Sequence, residues 1–280
     1  MRQVSGFASH QGSDGVTPWD FERRDLRSDD IRVAIDYCGV CHSDLDAIAS
    51  AAQGEDWLVP GHEFTGRVAA VGSAATRFAV GDRVAVGNIV DSCGRCAACR
   101  AHQENYCHDF PTLTYGGRDR HDGSRTQGGW SGEYVVREDF AYSVPPGLDA
   151  AAAAPLMCAG ITVWEPLRRW QVGPGSTVGV VGVGGLGHLA VKLAKALGAH
   201  VAVFTTSPAK ADAAYALGAD DVVLSTDAAA MAARTDSYDL VLDTASAPHD
   251  LTPYLRVLSM DGTLCVLGIA ERLDFDPMAL

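Results

Sequence analysis

The chain has 280 residues, of which 47% are hydrophobic, and its formal net charge at pH 7 is −13. This length exceeds that of a typical single domain and allows two domains, each with a buried core. The negative charge and the absence of a Lys/Arg run in the sequence argue against nucleic acid or an anionic membrane surface as a partner.

The N-terminus and the apolar runs do not predict a secreted or membrane-spanning protein. The first fifteen residues, MRQVSGFASHQGSDG, have no apolar segment behind a basic one, so they do not resemble a signal peptide. The longest uncharged run, residues 150–164, is shorter than a membrane span and contains Pro155 and Gly160. We therefore expect a cytoplasmic protein without a membrane partner, whose thiols are kept reduced.

The turn-rich segment SVPPGLD, residues 143–149, separates two parts of the chain that have different sequence patterns. Before it, short β-rich runs such as IRVAIDYC and DRVAVG are separated by Gly and Asp turns, which predicts an irregular, mostly antiparallel β domain over residues 1–148. After it, strand-like runs alternate with helical patterns, which predicts a doubly wound parallel α/β sheet over residues 149–280.

Three residues of the chain are candidates for an open metal site: Cys41 in CGVCHSD, His62 in PGHEFTG and Cys158 in PLMCAG. Each is weak evidence by itself. An isolated cysteine in an apolar stretch is more often a core residue than a ligand, and an isolated histidine is more often an ordinary turn residue.

Four further cysteines share fifteen residues of the β domain, with the spacing CxxCxxCx7C: Cys93, Cys96, Cys99 and Cys107. This spacing lets one short loop surround a zinc ion with four thiolates, which leaves no position for water or substrate. Two disulfides and an iron–sulfur cluster are the alternatives, although a reducing compartment and the tight spacing disfavour disulfides. We predict a zinc that stabilises a loop, with the chemistry elsewhere.

The segment TVGVVGVGGLGHLAVKLAKALG is typical of a strand, a glycine-rich turn and a helix. The turn fits GxGxxG at Gly182, Gly184 and Gly187, with Gly185 and Leu186 between them. Such glycines allow a tight turn, close approach of a pyrophosphate and packing of the helix on the strand. The motif alone also fits a structural turn, but leucines at helical spacing follow it and favour a dinucleotide site.

The next strand-like run ends in VAVFTTSPAK, with no acidic residue before Asp212. An NAD enzyme usually carries an acid at this place for the ribose 2′-hydroxyl. Thr206, Ser207 and Lys210 instead offer hydroxyls and a cation for a 2′-phosphate. Ser207 before Pro208 is also typical of a helix N-cap, and the two roles are compatible. We expect NADP rather than NAD.

Two later strand-like runs end in residues that we expect to line the cofactor. Asp243 and Thr244 end one run, and Gly268 and Ile269 end the next. The reason is that ligands of a doubly wound sheet bind at the carboxyl ends of its strands.

The motifs together resemble the zinc-dependent medium-chain alcohol dehydrogenases, and within them the cinnamyl alcohol dehydrogenase-like group of NADPH-dependent aldehyde reductases. GHEFTGRVAAVG, residues 61–72, fits their zinc signature GHExxGx5G. CGVCHSDL, VDSCGRCAACRAHQENYC, TQGGWSGEYVV and PLMCAGITVWEPL are also similar to members of the group, and the resemblance extends from about residue 21 to the last residue. It implies a GroES-like β domain followed by a Rossmann domain.

The resemblance implies that Cys41, His62 and Cys158 bind a catalytic zinc. Glu63 would be a carboxylate that enters the coordination shell when water or substrate leaves. Two thiolates and a neutral imidazole leave one position for the substrate carbonyl oxygen, whose developing negative charge a zinc stabilises.

The resemblance also implies a proton relay that begins at Ser43, and it favours this role over the alternative of a turn hydroxyl. Many relatives end the relay with a histidine where this chain has Asp46, so a different pH profile is expected. His42 and Asp44 are expected to orient the cofactor or the zinc ligands. Thr162 is assigned to the cofactor-binding residues.

Members of the family continue beyond the segment DFDPMAL. We therefore expect the C-terminal part of the Rossmann fold to be missing, including the sixth strand and the edge through which relatives form a homodimer. The fifth strand, GTLCVLG, is then expected to be an unpaired edge that exposes hydrophobic residues.

These observations predict a zinc-dependent oxidoreductase that transfers hydride between NADP(H) and a primary alcohol or aldehyde, mainly as aldehyde reduction. Leu113 in FPTLTYGG stands near the place where lignin-forming plant relatives tend to have Trp, which suggests a wide range of small-molecule aldehydes. The alternative is a truncated, non-catalytic relative that binds zinc and nucleotide.

Overall fold

A computed structural model describes residues 1–54 and 57–280 of the chain. Its contacts divide the chain into two compact units, Met1–Cys158 and Ala159–Leu280. The predicted domain bounds, 1–148 and 149–280, stay a prediction, because a contact unit is not by itself an independently folding domain. Within the described residues, no single helix has the length and apolar composition to cross a membrane. Two consecutive segments, Ala150–Met157 and Ala159–Arg169, have that length and composition only when they are counted as one, and a bend of 60° separates them.

The first unit is mostly antiparallel β structure. Its strands are β1 (Arg2–Ala8), β2 (Thr17–Arg23), β3 (Asp30–Cys38), β4 (Phe64–Val71), β5 (Arg83–Val86), β6 (Ile89–Asp91), β7 (Thr112–Leu113), β8 (Glu133–Arg137) and β9 (Ala141–Ser143). Its α-helices are α1 (His42–Gln53), α2 (Ala97–Arg100) and α3 (Ala150–Ala153), and its 3₁₀ turns are Glu104–Tyr106, Glu138–Phe140 and Ala154–Met157. Strands β8, β3, β4, β5 and β9 form one antiparallel sheet in this order, while β1 pairs with β2 and β6 with β7.

The core of this unit follows the two-residue period of its strands. Ile31 and Val33 of β3 are fully buried and alternate with half-buried Arg32. They pack with Phe64 and Val68 of β4, which are also buried. Because Phe64 is fixed in this core, the two residues before it, His62 and Glu63, are held at the start of β4.

The second unit alternates strands and helices. Its strands are β10 (Thr177–Val181), β11 (His200–Thr205), β12 (Asp221–Leu224), β13 (Tyr238–Asp243) and β14 (Leu258–Val266). Its helices are α4 (Ala159–Arg169), α5 (Gly185–Ala196), α6 (Ala211–Ala216), α7 (Ala228–Ala232) and α8 (Thr252–Arg256), with 3₁₀ turns at Pro208–Lys210 and Pro277–Ala279. The sheet order is β12-β11-β10-β13-β14, and all neighbours are parallel. The predicted parallel α/β sheet is therefore confirmed.

Strand β14 is the edge of this sheet in the described part of the chain, since it pairs there with β13 alone. It begins before the predicted segment GTLCVLG, and a register irregularity between Tyr238 and Leu240 of β13 accompanies the extra residues. Met260 on β14 is 89% exposed. In the described part of the chain, β14 is therefore an edge strand that exposes Met260, and the expected loss of a sixth strand stays a prediction.

Arg23 in β2 is a buried cation that ties a distant loop to the first unit. Its guanidinium donates to the carbonyl oxygens of Glu133, Gln127 and Gly128 at 2.9, 2.5 and 2.7 Å. Its Cζ lies 4.3 Å from the centroid of the Tyr134 ring, as in a cation–π contact. Burial lowers the pKa of Arg23 to about 10, so it stays charged at neutral pH.

Replacing Arg23 should destabilise the first unit strongly. We expect Arg23→Met to lower the free energy of unfolding by about 3 kcal/mol, because three carbonyl oxygens lose a charged donor. Arg2→Met is the control: the Arg2 side chain is 57% exposed in its ion pair with Glu133, and its loss should cost less than about 1 kcal/mol. Urea unfolding followed by tryptophan fluorescence measures both, and equal shifts would contradict the anchoring role of Arg23.

Candidate functional site

Cys41, His62 and Cys158 come together in the first unit, with one donor atom from each residue inside a group no wider than 4.8 Å. The two Sγ atoms are 3.8 Å apart, and His62 Nε2 is 3.2 Å from Cys158 Sγ. Two sulfur corners of a zinc tetrahedron are also about 3.8 Å apart when each Zn–S bond is about 2.3 Å. Two thiols and one imidazole therefore fit a zinc ion with one open position.

Local structure explains how these three residues are held. Cys41 is the N-cap of α1, His62 lies two residues before the buried Phe64, and Cys158 directly follows the 3₁₀ turn Ala154–Met157. Sequence separation is large, so only the fold of the unit brings them together.

Asp44 connects two of the three donors. It is fully buried, and its Oδ1 accepts a hydrogen bond from His62 Nδ1 at 3.0 Å. Its carboxylate also accepts from the backbone N–H groups of Cys41 at 2.9 Å and Gly61 at 3.0 Å. With the Nδ1 hydrogen bound to Asp44, neutral His62 presents the Nε2 lone pair to a metal. This is the contact that the expected orienting role of Asp44 requires.

The donors of this group perturb one another's charge. Burial lowers the pKa of His62, but the Asp44 carboxylate and Cys41 raise it to about 9. Hydrogen bonds from Cys158 and His62 lower the pKa of Cys41, and the same pairing with Cys41, together with burial, raises the pKa of Cys158. A zinc ion must displace the remaining protons, so zinc affinity should rise with pH.

Glu63 is buried next to this group but outside its set of close donor atoms. Burial raises the pKa of Glu63 to about 7. The carboxyl group of Glu63 lies against the backbone of Gly39. A Cβ at this position would be 2.6 Å from Glu63 Oε1, so a longer side chain at position 39 would displace the carboxyl group. The charges of His62 and Cys41 also act on the pKa of Glu63, which His62 lowers and Cys41 raises.

The two relay candidates lie on the first turns of α1. Ser43 is half-buried, whereas Asp46 is exposed and its Oδ1 lies 3.7 Å from Nε2 of exposed His42. The sequence analysis did not identify Tyr115, whose hydroxyl donates to the Ser43 carbonyl oxygen at 3.1 Å. The Tyr115 ring also meets the ring of His62 edge-on at 5.6 Å. Its position in TLTYGG, next to Leu113, was the available signal.

A cavity of about 360 Å³ opens beside α1. Most of its walls are small or apolar side chains, and Tyr115 links it to the neighbourhood of His62. Within the described residues the lining is Ala47, Ser50, Ala51, Gly54, Leu58, Leu113, Tyr115, Gly116 and Arg125.

The four clustered cysteines, Cys93, Cys96, Cys99 and Cys107, also form one compact donor group. The sulfur of Cys99 is 3.9 Å from that of Cys93 and 3.5 Å from that of Cys96. These distances exclude disulfides, whose sulfurs are about 2.05 Å apart, and all eight cysteines are free. Backbone N–H groups of Cys96 and Cys99 point at the sulfurs of Cys93 and Cys96, which favours thiolates.

The glycine-rich turn of the second unit has the geometry that a dinucleotide site needs. Gly182 has φ 86°, in the left-handed region, and a Cβ at Gly187 would lie 2.1 Å from the Gly182 carbonyl oxygen. Open space surrounds Gly184 and Gly185, so a ligand can approach the backbone. Gly185, Leu186 and Gly187 form the first turn of α5, whose free N–H groups favour an anion.

The residues expected near the 2′-phosphate follow β11. Thr206 and Lys210 are exposed, and Ser207 is half-buried before the 3₁₀ turn Pro208–Lys210. Ser207 occupies the N-cap position, as expected, but its side chain makes no capping hydrogen bond among the described residues. Its hydroxyl is thus not used by the helix.

The last cofactor candidates lie at the ends of neighbouring elements. Gly268 follows β14, and its N–H donates to the Asp243 carbonyl oxygen at 3.0 Å. Ile269 is exposed next to it, and Thr162 is half-buried in α4.

The chain matches the alcohol dehydrogenase GroES-like domain over residues 27–146 and the zinc-binding dehydrogenase domain over residues 185–280. It is 47% identical to the aldehyde reductase YahK of Escherichia coli, over 95% of this chain and 76% of that protein. The chain belongs to the zinc-dependent medium-chain alcohol dehydrogenases. The predicted GroES-like and Rossmann folds and the resemblance are confirmed.

Solved structures agree with this assignment. A cinnamyl alcohol dehydrogenase from Sorghum bicolor matches with a TM-score of 0.94 and 41% identity, over 99% of this chain and 80% of that one. The cinnamyl alcohol dehydrogenase of Helicobacter pylori, solved with NADP(H), matches with a TM-score of 0.89 and 35% identity, over the same shares.

Removing the Asp44 carboxylate should weaken zinc binding by the Cys41, His62 and Cys158 group. We expect Asp44→Ala to lower its zinc affinity by about 10- to 100-fold, because the ring of His62 loses the partner that fixes its tautomer. Chelator competition measures the change. Asp46→Ala, on the exposed face of the same helix, is the control, and identical zinc retention in both variants would refute the role of Asp44.

Proposed function

We propose that this alcohol dehydrogenase reduces aldehydes with NADPH, at a catalytic zinc held by Cys41, His62 and Cys158. The observation that carries the proposal is the geometry of these three donors, with His62 Nε2 left to the metal by Asp44. The aldehyde reductase and the cinnamyl alcohol dehydrogenases named above support the reaction, and the complex of the Helicobacter pylori enzyme supports the cofactor.

The zinc ion supplies an electrophile for the carbonyl oxygen, and NADPH supplies the hydride. The thiolates of Cys41 and Cys158 balance the charge of the ion, and Asp44 holds the imidazole of His62. We assign Glu63 to the ligand set as an exchangeable carboxylate. The four-cysteine loop, with no position left for substrate, holds a structural zinc.

The proton that completes the alcohol is assigned to a relay on α1. Ser43 provides its first hydroxyl, and Asp46 provides its end at the solvent. The exposure of Asp46 beside His42 supports exchange with bulk water.

NADPH is assigned to the carboxyl end of the parallel sheet. Gly182, Gly184, Gly185, Leu186 and Gly187 would hold the pyrophosphate, and Thr206, Ser207 and Lys210 the 2′-phosphate. Gly268, Ile269 and Thr162 complete the set. The positive charge of Lys210 and the unused hydroxyl of Ser207 support a phosphorylated ribose.

The substrates are proposed to be small aldehydes and the matching primary alcohols. Leu113, near the place where lignin-forming plant relatives tend to have the larger Trp, supports aromatic and medium-length aliphatic substrates. Eight free cysteines support a reducing, cytoplasmic location.

Turnover and metal variants test this function together. We expect the chain to oxidise NADPH in the presence of benzaldehyde, cinnamaldehyde or hexanal, as followed by NADPH absorbance. Cys158→Ser should lower kcat/KM by at least about 100-fold and leave the melting temperature near that of the unmodified chain. Cys96→Ser should instead lower Tm by at least about 5 °C, because it opens the structural loop.

Two outcomes would contradict this division of labour. Equal losses of stability in both variants would argue against one open and one closed zinc site. A folded, zinc-loaded chain without turnover would favour the non-catalytic relative.

Cofactor choice is tested at Lys210. We expect Lys210→Ala to raise the KM for NADPH by about tenfold and to leave the KM for NADH unchanged, because only the former has a 2′-phosphate for the ammonium group. Lys192→Ala, an exposed lysine within α5, is the matched control. An equal change for the two cofactors would rule out the phosphate role.

A further inference from the structure

The second unit contains an acid–base pair that the proposed reaction does not use. Asp243, the last residue of β13, is 1% exposed, and its Oδ2 lies 3.4 Å from Nε2 of His249. Burial raises the pKa of Asp243, although the Ala245 N–H and His249 offset part of this effect. Nε2 of His249 is itself buried and has no hydrogen bond of good geometry to the described residues.

The hydrogen bonds of His249 show that this pair needs a proton. His249 Nδ1 lies 2.9 Å from the Ala247 carbonyl oxygen, which can only accept, so Nδ1 carries a hydrogen. A neutral ring protonated at Nδ1 has a lone pair at Nε2, and this lone pair would face a carboxylate oxygen. The contact is attractive only when one proton lies between Oδ2 and Nε2, either on the ring or on the carboxyl group.

Neighbouring side chains affect the proton affinity of the Asp243–His249 pair. Tyr254 of α8 meets the His249 ring edge-on at 5.7 Å. The Asp250 carboxylate interacts with the His249 ring and favours its cationic form, and Arg256 of α8 interacts in turn with Asp250.

The loop that carries the pair packs directly on the glycine-rich turn. Thr244 Oγ1 donates to the Val181 carbonyl oxygen at 2.7 Å, and a Cβ at Gly187 would lie 3.0 Å from this Oγ1. On the other side, a Cβ at Gly268 would lie 2.0 Å from the Ala245 carbonyl oxygen. Thr244 and Ala245 therefore have little room to shift without disturbing two of the proposed dinucleotide contacts.

We propose that Asp243 and His249 are positioning residues for the dinucleotide, and that one shared proton holds residues 244–248 against the glycine-rich turn. This rests on the proposed function. When rising pH removes the proton, a buried carboxylate faces the imidazole lone pair, the loop loses its fixed position, and NADPH binds more weakly. The affinity therefore falls as pH rises.

The dissociation constant for NADPH, measured by nicotinamide fluorescence from about pH 6.5 to about pH 9.5, tests this role. The unmodified chain should lose about tenfold in affinity across this range. In Asp243→Asn the amide N–H replaces the shared proton at every pH, so affinity should vary within about twofold. His249→Phe keeps the ring packing but leaves the acid unpaired, and should bind about tenfold more weakly near neutral pH. His200→Phe, at the opposite end of the sheet, is the control.

A second measurement does not depend on the cofactor. In the nitrogen-15 spectrum of the free chain at about pH 7, the hydrogen shared between His249 Nε2 and Asp243 Oδ2 should give a proton signal coupled to Nε2. Absence of this signal in the unmodified chain would overturn the shared proton. Equal NADPH affinity of His249→Phe and the unmodified chain at every pH would overturn the positioning role. If the unmodified chain binds no NADPH while the proton signal is present, the proposed function fails, and the positioning role fails with it.

Discussion

The hydrogen bond from His62 Nδ1 to Asp44 Oδ1 is the interaction on which the candidate active site depends. It determines which nitrogen of the ring remains for a metal, and it is protected from water because both groups are buried. The same carboxylate accepts from the N–H groups of Cys41 and Gly61, so it also fixes the backbone at two of the three donors. One buried acid thus sets the distance between α1 and the segment before β4.

Glycines, which have no side chain, leave the space that neighbouring groups occupy in both units. A Cβ at Gly39 would overlap the Glu63 carboxyl, and one at Gly61 would lie 2.5 Å from the Trp130 ring. In the second unit, Gly187 allows α5 to meet the end of β10. Close packing of this kind explains why short sequence motifs rich in glycine mark the sites: each glycine is required by a neighbour that a longer side chain would displace.

Those motifs are local, which is why much of the fold and of the candidate site could be predicted from the sequence. GxGxxG, the four-cysteine spacing and the strand–helix alternation each depend on residues close together in the chain. Tyr115 and the anchoring contacts of Arg23 were missed because they join segments far apart. Ser207 occupies the N-cap position expected from propensity, but within the described residues its side chain makes no capping hydrogen bond. Tertiary geometry decided the cases of Tyr115 and Arg23, whereas the case of Ser207 is local.

The two units use a buried aspartate beside a histidine in opposite ways. At His62 the carboxylate of Asp44 accepts the hydrogen bond from Nδ1–H. The lone pair of Nε2 is therefore available to a cation. At His249 the backbone carbonyl of Ala247 accepts the hydrogen bond from Nδ1–H. Nε2 therefore faces the Asp243 carboxylate, and a shared proton makes their contact attractive. The pair of residue types is the same, and the position of one hydrogen decides between a metal ligand and a proton-dependent contact. Residue identity alone could not have separated these two chemistries, because the difference lies in which acceptor the fold places at Nδ1.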